Sequence, residues 1–310
     1  MFSNQILKYA LKLTLLIMMF SGAASAQTKA PLDLTPKIAL PGLKDFSNDS
    51  GESARTVTLR AVLVDGGESV ENGLIWRVFD PTPDETGKLR LIAETEGGST
   101  KLDFTPGEYF VHVAFGRAGV TKKLSVPSTG SISAQTYILD AGGLILNATS
   151  GGNGRVVGKF LKFAIYSGED QDAQDSDRQL VLEGVSANTV IRLNEGIYHV
   201  VSNYGDINAV TRADIRVEKG KLTEVQMQHR AALVTFKLVS KQGGEGIADT
   251  AWSLYSSSGD VINEMVGAFP NLVLAEGDYQ VSALHRGKEY PLDFHVTAGE
   301  NVDIEVLLGN

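Results

Sequence analysis

The sequence predicts an all-β chain, in which three tandem β-sandwich domains follow a signal peptide and an extended tail. The motif (Leu or Phe)-x-x-Gly-x-Tyr occurs three times, beginning at Phe104, Leu193 and Leu274. These positions are about 80 to 90 residues apart, which is the length of a small β-sandwich. Apolar and polar residues alternate from about Thr56 onward, and no convincing helical period interrupts them. One sandwich used three times is therefore the fold that the sequence favours.

Residues 1–26 have the features of a cleaved signal peptide. Lys8 and Lys12 form a positive region, and the apolar run after them is shorter than the ~20 residues that span a bilayer. Residues 24–26 read Ala-Ser-Ala, which fits the small-x-small cleavage rule, so we expect the mature chain to begin at Gln27. A retained membrane anchor is the alternative. We expect the protein to be exported and to have no stable membrane insertion after cleavage. The periplasm is the expected location, and the cell surface and the extracellular medium are the alternatives.

Residues 27–55 are predicted to form an extended or disordered tail. Pro31, Pro36 and Pro41 recur at even spacing and disfavour a helix, because proline lacks a backbone donor and favours extended backbone. The tail is a spacer in one interpretation. In the other it is a docking segment, since several leucines lie between the prolines.

The three domains are predicted to span residues 56–140, 141–231 and 232–310. In each, a first strand ends at two glycines, an aromatic strand follows, and the Gly-x-Tyr strand precedes a last strand that begins after a turn glycine. The paired glycines are Gly66-Gly67, Gly151-Gly152 and Gly243-Gly244. Only a few residues separate one domain from the next, so we expect short joins rather than flexible linkers.

The Gly-x-Tyr motif has a structural role in such a fold. Glycine permits a tight corner, and the tyrosine buries its ring while its hydroxyl bonds to the corner backbone, as in the tyrosine corner of β-sandwiches. The predicted corner residues are Gly107, Tyr109, Gly196, Tyr198, Gly277 and Tyr279.

With these repeats, the chain resembles the bacterial immunoglobulin-like and carboxypeptidase-regulatory-like (transthyretin-like) sandwich repeats of exported proteins. The resemblance covers about residues 56–310, and it rests on the Leu-x-x-Gly-x-Tyr corner and on the last strand after a turn glycine. It implies domains that act as spacers, scaffolds or binding modules and are rarely catalytic.

Composition and motifs exclude several classes of site and partner. The chain has no cysteine, which excludes disulfides and thiolate metal sites. Its net charge of −9 argues against nucleic acid as a partner, because nucleic-acid binding requires a basic face. The motifs of serine hydrolases, zinc proteases and phosphate-binding loops are absent from the sequence. We therefore predict a protein that is not an enzyme, with no catalytic residues and no cofactor.

Histidines and tyrosines are the other candidate binding residues. His112 and His199 fall on the outward phase of their strands, and no histidine has liganding partners at a fixed spacing that would indicate a metal site. Tyr204 and Tyr290 are the two aromatic residues that could stack on a sugar. The alternative for both is that they cover the end of a domain.

Residues 169–177 are the best candidate for a metal site. The alternating carboxylates that could wrap calcium with oxygen ligands are Asp170, Asp172, Asp175 and Asp177. An EF-hand loop that begins at Asp170 would need glycine and glutamate where the chain has Asp175 and Val181, so that pattern fails. A solvated loop is the favoured interpretation, and we predict no metal site.

The function that fits these observations is a non-enzymatic exported scaffold or protein-binding module of the bacterial cell envelope. Its expected partner is an envelope or surface protein. The sequence does not determine the oligomeric state, and a monomer is the simpler expectation. The alternatives are a carbohydrate- or calcium-dependent ligand-binding or adhesin protein, and an accessory subunit of an envelope enzyme.

Overall fold

The structure is a computed structural model that describes residues 53–152, 154–168 and 178–309. Within these ranges the chain is almost entirely β, with 22 strands and one short 3-10 helix, Gly158–Phe160. The predicted signal peptide, most of the predicted tail and the four calcium candidates lie outside the described residues. Those candidates are Asp170, Asp172, Asp175 and Asp177, and what we predict of them stays a prediction.

Domain 1 contains seven strands in two sheets. The strands are β1 (Arg55–Val62), β2 (Leu74–Pro83), β3 (Leu89–Gly97), β4 (Thr100–Phe104), β5 (Gly107–Phe115), β6 (Ala118–Val126) and β7 (Gln135–Ile138). One sheet has the order β4-β1-β7 and the other has the order β3-β2-β5-β6.

Domain 2 repeats this arrangement and adds one short strand. Its strands are β8 (Ala141–Ser150), β9 (Gly154–Arg155), β10 (Leu161–Ser167), β11 (Leu180–Val185), β12 (Val190–Asn194), β13 (Gly196–Tyr204), β14 (Val210–Val217) and β15 (Leu222–His229). The sheet orders are β12-β8-β15, with β9 beside β8, and β11-β10-β13-β14.

Domain 3 repeats the arrangement of domain 1. Its strands are β16 (Ala231–Val239), β17 (Ala251–Ser256), β18 (Val261–Val266), β19 (Asn271–Ala275), β20 (Gly277–His285), β21 (Lys288–Val296) and β22 (Val302–Leu307). The sheet orders are β19-β16-β22 and β18-β17-β20-β21. The predicted all-β fold of three tandem sandwiches is confirmed.

The first and last strands of every domain are parallel neighbours. β1 pairs with β7, β8 with β15 and β16 with β22, while all the other pairs are antiparallel. Two residues separate β7 from β8, and one residue, Arg230, separates β15 from β16. The chain therefore leaves one sandwich and enters the next with almost no connecting segment.

Each domain encloses its own apolar core, centred on one aromatic ring. Trp76 in β2, Phe163 in β10 and Trp252 in β17 are at most 1% exposed. The indole Nε1 groups of Trp76 and Trp252 donate to the carbonyl oxygens of Gly98 and Gly267, both at 2.9 Å. Because a buried N–H without a partner is costly, these bonds allow the tryptophans to occupy the centre of the sandwich.

Candidate functional site

The predicted corner residues form the same contact in all three domains. The tyrosine hydroxyl donates to the backbone carbonyl four residues earlier, at 2.9 to 3.0 Å. The pairs are Tyr109 with Thr105, Tyr198 with Asn194, and Tyr279 with Ala275. Gly107 and Gly277 have φ angles of 157° and 154°, at the edge of the region that favours glycine, whereas Gly196 does not have a positive φ. These residues shape the corner between two sheets, and Tyr279 also lines a groove on domain 3.

The histidines on the outer sheet faces are partly covered and hydrogen-bonded, so they are less exposed than the strand period predicts. His112 Nδ1 lies 2.9 Å from Thr121 Oγ1, and His199 Nδ1 lies 2.7 Å from Asp214 Oδ1. Burial and the nearby Arg77 lower the pKa of His112. Among the described residues, no group of three or more histidines and carboxylates could hold a metal ion.

The expectation that Tyr204 and Tyr290 could stack on a sugar is wrong. Tyr204 is 1% exposed, and its hydroxyl accepts a hydrogen bond from the backbone amide of Val157 at 3.1 Å. Tyr290 is 8% exposed and packs in the core of domain 3, with the Lys288 ammonium 5.0 Å from its ring centre. Both rings are part of the packing of their domains, because each lies on the inward face of its strand.

Domains 1 and 2 are joined by hydrogen bonds around Asn194, the last residue of β12. Its Oδ1 accepts from the Gly119 amide at 3.2 Å, and its Nδ2 donates to the carbonyl oxygens of Gly119 and Leu139 at 3.3 and 2.7 Å. The Arg192 guanidinium lies over the Phe115 ring, 4.2 Å from its centre, which adds a cation–π contact. One amide side chain therefore joins the backbones of two domains.

Domains 2 and 3 are also joined by an asparagine. This residue, Asn208, lies in the β13–β14 turn of domain 2, whereas Asn194 belongs to the second of the two domains that it joins. Its Oδ1 accepts from the Ala275 amide at 2.9 Å, and its Nδ2 donates to the Tyr279 hydroxyl at 2.8 Å. Val273 of β19 packs in the core of domain 2, and Ile207 of domain 2 packs against the core of domain 3. The two domains thus exchange apolar side chains across their junction.

Both junctions depend on a glycine in the turns β5–β6 and β13–β14. Gly116 and Gly205 have φ angles of 65° and 78°. A Cβ at Gly116 would lie 3.0 Å from the Cβ of Arg192, and a Cβ at Gly205 would lie 2.7 Å from the Cβ of Val273. Glycine is therefore needed for the backbone conformation and for the close approach of the next domain.

A buried polar pair lies beside the second junction. His229, at the end of β15, and Ser202 in β13 are 1% and 0% exposed. His229 Nε2 lies 2.8 Å from Ser202 Oγ, and its Nδ1 lies 3.4 Å from Thr211 Oγ1. Burial lowers the pKa of His229, which favours the neutral imidazole in the folded protein.

Sequence reasoning missed this pair, although the repeats contain a signal for it. Val113, Ser202 and Ala283 are each the cross-strand partner of the central aromatic ring of their domain. Leu139 lies two residues before β8, just as His229 lies two residues before β16. A position-by-position comparison of the repeats would have marked two apolar positions that become polar together in domain 2.

The serine–histidine pair lacks the other features of a nucleophilic site. Substrate cannot reach Ser202 Oγ, and in the described part of the chain the second ring nitrogen faces the Thr211 hydroxyl rather than a carboxylate. Ser150 Oγ lies within hydrogen-bond distance of the carbonyl oxygens of His229 and Ala231. These polar groups therefore satisfy one another inside the junction.

A second repeated feature lies on the edge strands β3, β11 and β18. The register of each strand shifts at a β-bulge beside an aromatic residue of the neighbouring strand. The bulged residues Ile92, Val181 and Ile262 pack against the core of their domains. The residue before each bulged residue then pairs with the aromatic residue of the neighbouring strand, on the outer face of the sheet. The pairs are Phe79 with Leu91, Tyr166 with Leu180, and Tyr255 with Val261.

The aliphatic member of each pair is exposed, at 48% for Leu91, 46% for Leu180 and 57% for Val261. Each edge strand continues with the same pattern, which ends in an exposed glutamate. Residues 91–94 read Leu-Ile-Ala-Glu, residues 180–183 read Leu-Val-Leu-Glu and residues 261–264 read Val-Ile-Asn-Glu. Core packing explains the second residue of this pattern but not the two exposed ones. We call the three aromatic–aliphatic pairs with their glutamates the edge surface.

A polar groove of about 720 Å³ lies on domain 3 beside the β17–β18 turn. Gln280 Nε2 donates to Asp293 Oδ1 at 2.8 Å on one side, and His295 Nδ1 lies 2.7 Å from Asp278 Oδ1 on the other. The lining also includes the hydroxyl groups of residues 256–258 and the rings of Tyr279 and Phe294. Over the described residues, the structure contains no helix that is long and apolar enough to cross a membrane.

Comparison with known protein families gives one match. The model of the Rhizobiales growth-associated tandem repeat domain matches residues 233–308, which lie in domain 3. The comparison with curated proteins gives no match.

Comparison with solved structures gives similar chains at low sequence identity. The TIE protein of Bacillus anthracis is 12% identical over 82% of this chain, with a TM-score of 0.25. A streptococcal ancillary pilin is 11% identical over 82% of this chain and 99% of its own, with a TM-score of 0.30. The pilus adhesin SpaC of Lactobacillus rhamnosus GG is 10% identical over 83% of this chain, with a TM-score of 0.25. The chain spans 57% of the Bacillus protein and 43% of the adhesin.

Proposed function

We propose that this chain is a non-enzymatic scaffold of the bacterial cell envelope that holds three sandwich domains in fixed succession and binds an envelope or surface protein. The observation that carries the proposal is the junction, which is built twice from equivalent turns and strands. Hydrogen bonds from Asn194 and Asn208 and the exchanged side chains Ile207 and Val273 oppose free rotation between domains. Fixed succession is a property that a scaffold needs and that a flexible tether would lack.

The chemistry of the described residues supports a role without catalysis. The most enclosed serine–histidine pair, Ser202 with His229, is used in packing. The partly buried tyrosine hydroxyls of the corners are bonded to backbone carbonyls. A robust hydrolase activity of the purified protein would contradict this part of the proposal.

The export signal predicted for residues 1–26 supports the envelope location. The growth-associated repeat family that matches residues 233–308 supports a partner that works in cell growth. Fractionation of cells should recover the protein outside the cytoplasm with Gln27 as its first residue. Deletion of the gene should slow growth or alter envelope shape, and a cytoplasmic product that keeps residues 1–26 would contradict the location.

The edge surface is the region that we propose for binding the partner. Its exposed aliphatic side chains recur at one position in all three domains, although a single exposed aliphatic residue needs no explanation. Three equal contacts on one chain would strengthen the binding of a partner with several contact points. The exposed glutamates Glu183 and Glu264 favour a partner segment with basic residues, whereas Glu94 already forms an ion pair with Arg77.

Cross-linking and affinity capture from the native envelope fraction test this assignment. The triple variant Leu91→Ser, Leu180→Ser and Val261→Ser should recover at least about fivefold less of the partner than the wild type, because the apolar contacts are lost. The control replaces three exposed aliphatic residues outside the edge surface, Val210→Ser, Leu222→Ser and Val302→Ser. Equal recovery by the two triple variants would contradict the edge surface as the binding region. Recovery of an envelope enzyme as the main partner would assign the accessory role.

The polar groove of domain 3 favours a second candidate function, binding of a carbohydrate. Its hydroxyl, amide and carboxylate groups could form hydrogen bonds to a sugar. A glycan array with the mature protein, run with and without chelator, distinguishes this function from a plain scaffold. Loss of a signal after Gln280→Ala would place the sugar in the groove, and loss only with chelator would direct attention to calcium and residues 169–177.

A further inference from the structure

Domains 1 and 3 each carry one half of the inter-domain junction. In each internal junction, the turn that follows the Gly-x-Tyr strand of one domain contacts the next domain. The residue contacted there directly precedes the (Leu or Phe)-x-x-Gly-x-Tyr motif. Gly116 meets Arg192 in this way, and Gly205 meets Val273. The corresponding residue of domain 1 is Asp103, and the corresponding turn of domain 3 spans residues 285–288. Neither has a neighbouring sandwich in the described part of the chain.

The residues at the equivalent positions of the two halves carry opposite charge. Arg286 occupies the place of Gly116 and Gly205, with a φ of 50°, and Lys288 follows it. Both side chains are exposed, and within the described residues neither forms an ion pair. Asp103 is exposed as well, and its carboxylate accepts a hydrogen bond from the Thr56 hydroxyl at 2.6 Å.

In the domain 3 turn, a histidine takes the place of the aromatic ring that contacts the next domain in the internal junctions. Phe115 at the end of β5 contacts the Arg192 guanidinium, and Tyr204 at the end of β13 shares a core with Val273. The equivalent last residue of β20 is His285. Between two copies of the chain, Asp103 would therefore meet an imidazole, a guanidinium and an ammonium group instead of an aromatic ring and a glycine.

We propose that the chain self-associates head to tail, with the domain 3 turn of one copy docked on the domain 1 face around Asp103 of another. The second copy is favoured as the occupant because the contact continues a junction that the chain already uses twice and because the charges are complementary. Such a contact is heterologous and does not close on itself, so successive copies would extend an open array.

The side chain of Arg286 makes this contact looser than the internal ones. A Cβ at the equivalent glycines would lie within 3.0 Å of the next domain, so two copies cannot approach as closely as two domains of one chain. An exposed ion pair contributes little by itself and is screened by salt. We expect association that is weak, reversible and strongest at low ionic strength.

Sedimentation velocity of the mature chain over a range of concentrations, at about 50 mM and about 500 mM NaCl, tests the proposal. The weight-average sedimentation coefficient should rise with concentration at low salt and remain that of the monomer at high salt. Arg286→Glu and Asp103→Lys should each weaken association at least about tenfold, because like charges then face each other. A mixture of the two variants should associate again, since each variant supplies the charge that the other lacks.

Charge reversals away from the two ends are the controls. Arg60→Glu in β1 and Glu224→Lys in β15 change exposed residues and should leave the association unchanged. Lys101, two residues before Asp103 on β4, opposes the cations of the turn, so Lys101→Glu should strengthen association.

A wild-type chain that stays monomeric at both salt concentrations would overturn the proposal. Association that persists in both end variants would also overturn it, because the contact would lie elsewhere. The measurement uses purified protein alone, so its failure is independent of whether the edge surface binds an envelope partner.

Discussion

Two residues, Ser202 and His229, distinguish the middle domain from its neighbours. They replace apolar residues by a hydrogen-bonded pair at the place where domain 2 meets domain 3. Burial without an ionic partner is the cause of the lowered pKa of His229. The pair therefore adds a buried titratable group to a junction that also has apolar packing, amide hydrogen bonds and an ion pair between Arg230 and Glu276.

Acid is expected to destabilise this junction through His229. Burial places its folded-state pKa below 6.5, while the unfolded chain titrates near that ordinary value. The contribution of the neutral imidazole is complete above the unfolded pKa, and it is lost as the pH falls through 6.5 toward the folded pKa. The double variant Ser202→Ala with His229→Leu should have a smaller dependence of Tm on pH between about 7.5 and about 5.

The single variant Ser202→Ala is the control for this measurement, because it keeps the imidazole and should keep the sensitivity to acid. Thermal unfolding followed by circular dichroism provides the Tm at each pH. The same pH dependence in the double variant and in the wild type would contradict the role of His229.

At the scale of strands and turns, alternation of apolar residues predicts where strands form but not where their register shifts. The bulges beside Phe79, Tyr166 and Tyr255 insert one residue that packs inward, which breaks the period of two. The role of the two junction turns could not be predicted either, because a glycine such as Gly116 or Gly205 is common in any hairpin turn. Their need for glycine arises in part from the next domain, whose contacting residues lie far away in sequence.

Gly205→Ala is expected to lower the free energy of unfolding by about 2 to 4 kcal/mol, through backbone strain at positive φ and overpacking against Val273. Gly287 is the matched control, with the same φ of 78° and no heavy atom within 4 Å of a Cβ. Gly287→Ala should cost only the strain, about 1 to 2 kcal/mol. Urea unfolding measures both, and equal losses would show that the turn does not press against domain 3.

At the scale of the whole molecule, the sequence predicts the fold class and the threefold repeat because both depend on local patterns. The period of two and the Gly-x-Tyr corner recur in each domain, and they indicate the first strand, the aromatic strand, the Gly-x-Tyr strand and the last strand of each. The junctions could not be predicted in this way, because the asparagine that forms hydrogen bonds across each junction lies at a different position of the repeat. Asn194 belongs to the later domain of its junction and Asn208 to the earlier one. The pair Ser202–His229 depends on the same long-range contacts.

Domains 2 and 3 are expected to unfold together, because Val273 of domain 3 is part of the core of domain 2. Calorimetry of the wild type should therefore show one shared transition for these two domains. Asn208→Ala removes two hydrogen bonds across the junction, at a cost of about 1 to 3 kcal/mol, and should separate that transition into two. Asn263→Ala in β18 is the control and should not separate it. Separate transitions in the wild type would contradict the coupling.

The parallel pairing of the first and last strands has a mechanical consequence. Because β8 and β15 run in the same direction, the chain enters and leaves the sandwich at opposite ends. A pulling force between those ends would load the hydrogen bonds of β8 and β15 side by side in shear, rather than opening them one after another. With only one or two residues between domains, no slack would take up the tension before these strands bear it.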